Sequence, residues 1–122
     1  KLVKEGFEVV DFGTDSVESV DYPSYGKAVG HAVADGKAEK GIVICGSGIG
    51  ISIAANKVKG VRCALCTSVE MAEMSRRHND ANVLAMGARM IEQDLAFEIV
   101  DKWLTTDFEA GKHLRRINML DE

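Results

Sequence analysis

The sequence predicts a doubly wound α/β fold, in which helices cover both faces of a parallel sheet. Three observations lead to this class. Short apolar runs that suit strands alternate with longer segments whose apolar residues recur at helical spacing. The run Gly41–Cys45 (GIVIC) is apolar throughout, as is typical of a parallel strand covered on both faces. Because a helical segment separates each strand from the next, the connections favour parallel pairing.

The first third of the chain predicts a strand and a helix. Phe7–Asp11 (FEVVD) suits a strand, and the polar segment 13–21 suits a loop. A helix begins near Pro23 and ends at Gly36. Before them, residues 2–6 (LVKEG) resemble the last turn of a helix with its terminal glycine, which is too short to be stable alone. We therefore expect that a strand and most of a helix precede this sequence.

The rest of the chain continues the alternation. Thr67 and Glu70 form a T-x-x-E capping box that predicts the start of the helix MAEMSRR. A later helix carries Leu95, Ile99 and Trp103 on one face. In order, the predicted elements are a helix at Ile51–Lys57, a strand at Val61–Cys66, the capped helix, a strand at Asn82–Met86, a helix at Gln93–Leu104 and, after Gly111, a short basic helix.

Length and composition indicate a single domain over residues 1–122, large enough to bury a core without disulfides or metals. Acidic residues outnumber basic ones by 19 to 15, so nothing indicates the basic surface that nucleic acid or an anionic membrane requires. The three cysteines are an odd number without zinc-type partners, which favours a reducing, cytoplasmic setting. Cys63 and Cys66 form C-x-x-C inside an apolar strand, and this favours core packing over a redox pair.

The segment Cys45–Gly50 (CGSGIG) places a thiol before a glycine-rich loop, and three kinds of site begin this way. A phosphate-binding P-loop needs Gly-Lys-Ser/Thr at the end of the glycine run, whereas Ile51 and Ser52 follow here. A dinucleotide site needs an acidic residue roughly 20 positions further on, at the end of the next strand. That strand ends at Cys66 with Thr67 behind it. The third kind of site is an oxyanion hole beside a reactive thiol.

This third interpretation suits the position of Cys45 at the end of a strand. Ligands of doubly wound folds bind beyond the carboxyl ends of the strands, where helix N-termini favour anions. A thiolate beside a row of N–H donors suits proton abstraction next to a carbonyl group. The alternative is that Cys45 is a small apolar residue that ends a buried strand. Residue types and spacing leave both explanations open.

Four stretches of the sequence resemble the ribose-5-phosphate isomerase type B family, which also includes galactose-6-phosphate isomerase subunits. They are DFGTDSVESVDYPSYG, IVICGSGIGISIAANKVKGVRCAL, SRRHNDANVLAMGARM and GKHLRRI. The resemblance covers essentially the whole chain, and CGSGIGISIAANK and RHNDANVLAMG are its most specific motifs. It implies a Rossmann-like α/β sandwich that interconverts aldose and ketose phosphates through a cis-enediol(ate), with neither a metal nor a nucleotide cofactor.

The resemblance implies catalytic roles for three side chains. Cys45 matches the base that moves a proton between C1 and C2 of the sugar. Ser47 stands where the family often has threonine, so a hydroxyl remains to donate or relay a proton. His78 matches the histidine that opens the furanose ring. Spacing alone offers another explanation for His78 and Asn79, because both residue types suit the end of a helix.

The resemblance also implies how the substrate is held. The loop N–H groups match the hole for the enediolate oxygen, and they belong to Gly46, Gly48, Ile49 and Gly50. Asn79 matches the amide that holds substrate oxygens. In the family, His78 and Asn79 come from the partner subunit. The resemblance therefore implies a homodimer, or a dimer of dimers, with a site shared between subunits.

Three cations match the phosphate-binding positions of the family: Arg89, Lys112 and Arg116. Because Lys112 and Arg116 are four residues apart, they share one face of a helix. Lys112 departs from the arginine expected there, so it keeps a point charge but loses the bidentate fork. Arg115 is expected on a solvated face.

These observations predict a cofactor-independent isomerase of ribose 5-phosphate and ribulose 5-phosphate, with Cys45 as the base. One alternative is an isomerase of a six-carbon sugar phosphate, such as allose or galactose 6-phosphate. The other is a non-catalytic regulator that binds a sugar phosphate or a nucleotide. In the family, the first strand ends in an Asp-His motif that contributes to the site. No stretch of this sequence matches it, which agrees with the expectation that residues precede Lys1.

Overall fold

The computed structural model describes residues 22–121. The helical turn predicted at 2–6, the strand at Phe7–Asp11 and the loop at 13–21 lie outside the described residues. In chain order the described elements are α1 (Tyr22–Ala34), β1 (Gly41–Cys45), α2 (Ile49–Asn56), β2 (Cys63–Leu65), α3 (Val69–Asn79), β3 (Val83–Gly87), α4 (Gln93–Thr105) and α5 (Lys112–Ile117). Helices and strands alternate from α1 to α4, as the sequence predicts.

The three described strands form one parallel sheet in the order β1-β3-β2. β3 lies in the middle, and all five of its residues are buried. Its pairing with β1 ends with Cys45 opposite Gly87, and its pairing with β2 ends with Leu65 opposite Ala85. The carboxyl ends of all three strands therefore lie at one edge of the sheet, where the loops that follow them meet.

Helices cover both faces of this sheet, which confirms the predicted three-layer class. α1 and α2 pack on one face, around a buried cluster that includes Val43 and Val83. α3 and α4 pack on the other face, around a cluster that includes Leu84 and Trp103. The neighbours Val83 and Leu84 belong to different clusters, because successive side chains of a strand point to opposite faces.

α1 and α2 lie close together because two glycines of α1 face α2. A Cβ on Gly26 would lie 2.9 Å from the Cβ of Ala54, and one on Gly30 would lie 3.0 Å from Cγ2 of Val58. Larger side chains at these two places would push the helices apart. The close contact holds α2 in position, and with it the loop that leads into α2.

The start of α3 differs by one residue from the predicted T-x-x-E capping box. Ser68 is the N-cap, and its hydroxyl accepts a hydrogen bond from the Met71 N–H at 3.1 Å. Thr67 instead donates its hydroxyl to Sδ of Met71 at 3.3 Å. The prediction of Thr67 as the cap is wrong, because the adjacent serine has the extended backbone that the cap position needs.

β2 is shorter than the predicted strand Val61–Cys66. At its start, side-chain amides replace the pairing between strands. Oδ1 of Asn82 accepts the Arg62 N–H at 2.7 Å, and Oδ1 of Asn56 accepts the Cys63 N–H at 2.8 Å. A sequence pattern shows which residues suit a strand, whereas it does not show which distant side chain will take a backbone donor.

The other boundaries lie within two residues of their predicted places. α2 begins at Ile49 rather than Ile51, because Gly48 turns the chain with a left-handed φ of 80°. β1 has the predicted bounds, β3 is shifted by one residue, and α4 ends one residue later than predicted. Among the helices of residues 22–121, we find none long and apolar enough to cross a membrane.

Candidate active site

Cys45 ends β1 at the carboxyl edge of the sheet, and it is half-buried there. The backbone N–H of Gly48 donates a hydrogen bond to its Sγ at 3.2 Å. This donor is aimed at the atom that carries the negative charge of a thiolate. α2 begins just beyond, at Ile49, so the positive end of its dipole faces the same loop. The surroundings of Cys45 therefore suit a sulfur that acts as a base.

The glycine loop has its shape because position 48 admits glycine alone. The φ of Gly48 is 80°, a conformation that residues with a Cβ rarely adopt. A Cβ there would also lie 2.8 Å from the carbonyl carbon of Met86. Within the loop, the N–H of Ile49 donates to Oγ of Ser47 at 3.2 Å. Two donors of the predicted oxyanion hole thus point at Sγ and Oγ, and a substrate oxygen would share them.

Arg89 lies over the glycine loop because the chain after β3 is bonded to it. The N–H of Ala88 donates to the carbonyl of Cys45 at 2.8 Å, and the N–H of Arg89 donates to the carbonyl of Gly46 at 3.0 Å. The Arg89 guanidinium group passes so close to Gly46 that a Cβ there would lie 3.4 Å from its Cζ. Arg89 is exposed, so its charge is accessible to an anion beside the loop.

A second group of predicted residues lies where α3 ends and α5 begins. The rings of His78 and His113 stack, with centroids 4.3 Å apart and planes 15° apart. Nε2 of His78 lies 3.4 Å from Oε1 of Glu109. Nε of Arg77 donates to Oε2 of the same carboxylate at 2.7 Å. We call these four residues, Arg77, His78, Glu109 and His113, the histidine cluster.

The other predicted binding residues of this region flank the histidine cluster. Asn79 is the last residue of α3, and its side chain is exposed. Lys112 and Arg116 lie one turn apart on α5, and both are exposed. Because His113 follows Lys112 directly, the stack with His78 brings the two cations of α5 to the end of α3.

The predicted site residues thus form two groups, which lie at opposite ends of the sheet. α3 starts after the carboxyl end of β2, and the Arg62 Nε, just before β2, donates to the carbonyl of Asp80, just after α3. α3 therefore runs the length of the sheet, and its 11 residues span about 16 Å. One chain consequently keeps Cys45 and Arg89 away from His78, Asn79 and the cations of α5.

The charges of the histidine cluster are uneven. The hydrogen bond from Arg77 lowers the pKa of Glu109, so this carboxylate stays ionised. Desolvation lowers the pKa of His113, and the positive charge of a protonated His78 lowers it further. His113 is therefore the member of the stack that stays neutral when pH falls toward the usual range of histidine.

His78, Glu109 and His113 place three metal-binding atoms within 4.8 Å of one another, so we considered them as a metal site. The lone pairs of an imidazole lie in the plane of its ring. Since the two rings are stacked with nearly parallel planes, they do not aim nitrogen atoms at a common point. Arg77 also occupies the carboxylate. This arrangement suits an ion-pair cluster rather than a metal centre.

The other two cysteines lie in the core, as the sequence predicts. Cys66 is 1% exposed, and Cys63 packs against the cluster beneath α1 and α2. Burial raises the pKa of Cys63 to about 12 and that of Cys66 to about 11. Both thiols stay protonated near neutral pH, so neither competes with Cys45 as a nucleophile.

Three members of the histidine cluster carry no predicted role. His113 lies inside the motif GKHLRRI, so its place in that motif was a signal that the sequence offered. Arg77 precedes His78 in RRHND, but its spacing suggests only a helix end. Glu109 offers no signal, because it is 32 residues from Arg77 in sequence and the contact depends on how α5 packs on α3.

Comparisons with known proteins agree with this architecture. A family model described as Ribose/Galactose Isomerase matches residues 1–120. Ribose-5-phosphate isomerase B of Escherichia coli K12 is 50% identical over 119 residues, which are 98% of this chain and 80% of the relative. Among solved structures, ribose-5-phosphate isomerase B of Clostridium thermocellum is 56% identical with a TM-score of 0.97, covering 98% of this chain and 81% of that one. The Mycoplasma genitalium enzyme, solved with bound ribulose-5-phosphate, is 40% identical with a TM-score of 0.94, covering 98% and 80%.

Proposed function

The chain belongs to the ribose/galactose isomerase family, and from that premise we propose that it interconverts ribose 5-phosphate and ribulose 5-phosphate. It is an aldose–ketose isomerase that acts on a sugar phosphate. The five-carbon substrate is supported by the relatives named for ribose 5-phosphate and by the neighbour that holds ribulose-5-phosphate. Membership of the family argues against a non-catalytic regulator. All three cysteines are free thiols, which supports a reducing, cytoplasmic setting.

The chemical step proceeds at Cys45. The thiolate takes the proton from C2 of the open-chain aldose, the C1=C2 double bond forms, and the carbonyl electrons move onto O1. The loop N–H groups stabilise the charge on that oxygen. Ser47 relays a proton from O2 to O1, and Cys45 returns its proton to C1 as C2=O forms. The observation that carries this assignment is the Gly48 N–H, which points at Sγ of Cys45 from 3.2 Å.

The remaining predicted residues bind the ends of the substrate. His78 opens the furanose ring and Asn79 holds substrate oxygens, while Lys112 and Arg116 bind the phosphate together with Arg89. Since these groups lie at opposite ends of one chain, we propose that a second copy supplies the histidine end to the Cys45 end. A homodimer, alone or paired into a tetramer, completes two such sites by symmetry.

A variant of Cys45 tests the proposed base. We expect Cys45→Ala to lower kcat for ribose 5-phosphate by about 10²- to 10⁴-fold, the usual effect of losing a general base. Cys63→Ala is the matched control, because it removes another half-buried thiol that lies away from the loop. Production of ribulose 5-phosphate is the measurement. A Cys45→Ala protein that isomerises at near wild-type rate contradicts the proposal.

A six-carbon sugar phosphate is the second candidate substrate, because the family description also names galactose. The loop acts on C1 and C2 and the cations act on the phosphate, so neither selects the number of carbons between them. The same assay, run with ribose 5-phosphate, allose 6-phosphate and galactose 6-phosphate, compares kcat/KM directly. We expect the value for ribose 5-phosphate to be the highest.

A further inference from the structure

Glu109 is the one member of the histidine cluster that touches both of its neighbours at the end of α3, Arg77 and His78. We propose that Glu109 is a positioning residue that holds the His78 imidazole in one orientation and one tautomer for ring opening. This inference rests on the proposed role of His78. It adds a residue to the site for which neither the sequence motifs nor the family resemblance supplies a role.

Two contacts at right angles fix the ring of His78. The Glu109 carboxylate contacts the ring edge, at 3.4 Å from Nε2. The His113 ring covers one face, at 4.3 Å between centroids. An edge contact prevents rotation about the Cβ–Cγ bond, whereas a face contact prevents tilting. Neither contact alone determines where the second nitrogen of the ring points.

The edge contact also selects the tautomer. An ionised carboxylate only accepts hydrogen bonds, so the nitrogen beside it carries the proton. A neutral His78 is therefore protonated on Nε2, and its Nδ1 keeps a lone pair that can accept a proton. Replacing the carboxylate by an amide removes this selection, because an amide both donates and accepts.

Glu109 can hold the ring because it is itself held. Nε of Arg77 donates to its carboxylate at 2.7 Å, and the backbone N–H of Glu109 donates to the carbonyl of Arg77 at 3.0 Å. The same residue pair is thus joined through both side chain and backbone. An exposed glutamate without such bonds would sample several rotamers and would not orient a neighbour.

Ring opening needs a defined acceptor. Nδ1 of His78 takes the proton from the anomeric O1 hydroxyl, C1=O1 forms as the C1–O4 bond breaks, and the protonated imidazole then gives the proton to O4. The step needs one nitrogen that is free to accept and return a proton. Once the sugar is open, the proton transfers of Cys45 do not involve Glu109. The proposal thus separates two reactions of one enzyme.

The experiment compares Glu109→Gln with Glu73→Gln in the full-length protein. Glu73 is the matched control, because it also pairs with Arg77, at 3.3 Å, but contacts Lys102 rather than His78. Isomerisation of ribose 5-phosphate, which is cyclic, measures ring opening and proton transfer together. Exchange of the C1 hydrogen of ribulose 5-phosphate with D2O measures proton transfer alone, since a 2-ketose phosphorylated on O5 cannot close a furanose ring.

We expect Glu109→Gln to lower isomerisation of ribose 5-phosphate about 10- to 100-fold, as displaced catalytic groups do. The D2O exchange stays at the wild-type rate, and Glu73→Gln changes neither reaction. Nitrogen NMR of His78 shows the Nε2–H tautomer in the wild type and a mixture in Glu109→Gln. Equal losses in both reactions, an equal loss in Glu73→Gln, or an unchanged tautomer overturns the proposal. A wild-type protein without D2O exchange overturns the proposed function instead, and the NMR result still tests Glu109.

Discussion

At the residue scale, the three cysteines show how much of the site depends on position within one strand. Cys45 ends an apolar run, whereas Cys63 and Cys66 lie inside one, and this difference is visible in the sequence. The hydrogen bond from Gly48 to Cys45 is not, because it requires the left-handed turn at Gly48. The reactive residue could therefore be predicted, while the donor that faces its sulfur could not.

The different environments predict selective alkylation. Burial raises the pKa of Cys63 to about 12 and that of Cys66 to about 11, so both remain protonated and unreactive as pH rises through neutrality. We expect iodoacetamide to modify Cys45 first and to abolish activity in step, with protection by ribose 5-phosphate. Peptide mass spectrometry locates the label. Modification of Cys63 or Cys66 as fast as Cys45 would contradict this account.

At the scale of elements, the sequence predicts most of the described helices and strands, because apolar periodicity decides which faces are buried. The bounds of β1 are predicted without error, since GIVIC is flanked by a polar segment and a glycine loop. The errors occur where a side chain decides the boundary. Asn56 and Asn82 replace strand pairing at the start of β2, and Ser68 rather than Thr67 caps α3.

The cap of α3 gives a stability prediction at this scale. Ser68→Ala removes the acceptor of the Met71 N–H, so we expect the free energy of unfolding to fall by about 1 kcal/mol. Thr67→Ala is the control, because its hydroxyl bonds a sulfur atom and caps no backbone donor. Urea unfolding of the two variants gives the midpoints. A larger loss for Thr67→Ala would restore the capping box that the sequence suggests.

At the scale of the whole molecule, the central feature is the separation of the two groups of site residues. The sequence motifs name the residues, and the family resemblance implies a shared site. The separation itself follows from topology. Cys45 lies at the carboxyl edge of the sheet, and His78 lies at the far end of α3, about 16 Å away along that helix. No sequence pattern gives this distance, because it depends on how α3 lies along the sheet.

A mixed dimer tests the central claim most directly. Chains carrying Cys45→Ala and His78→Asn, with different affinity tags, are co-expressed and the mixed dimer is purified through both tags. If each site takes Cys45 from one chain and His78 from the other, one of the two sites in the mixed dimer is intact. We predict about half of the wild-type isomerase activity per dimer, while each parent variant is nearly inactive. A mixed dimer no more active than its parents would contradict the shared site.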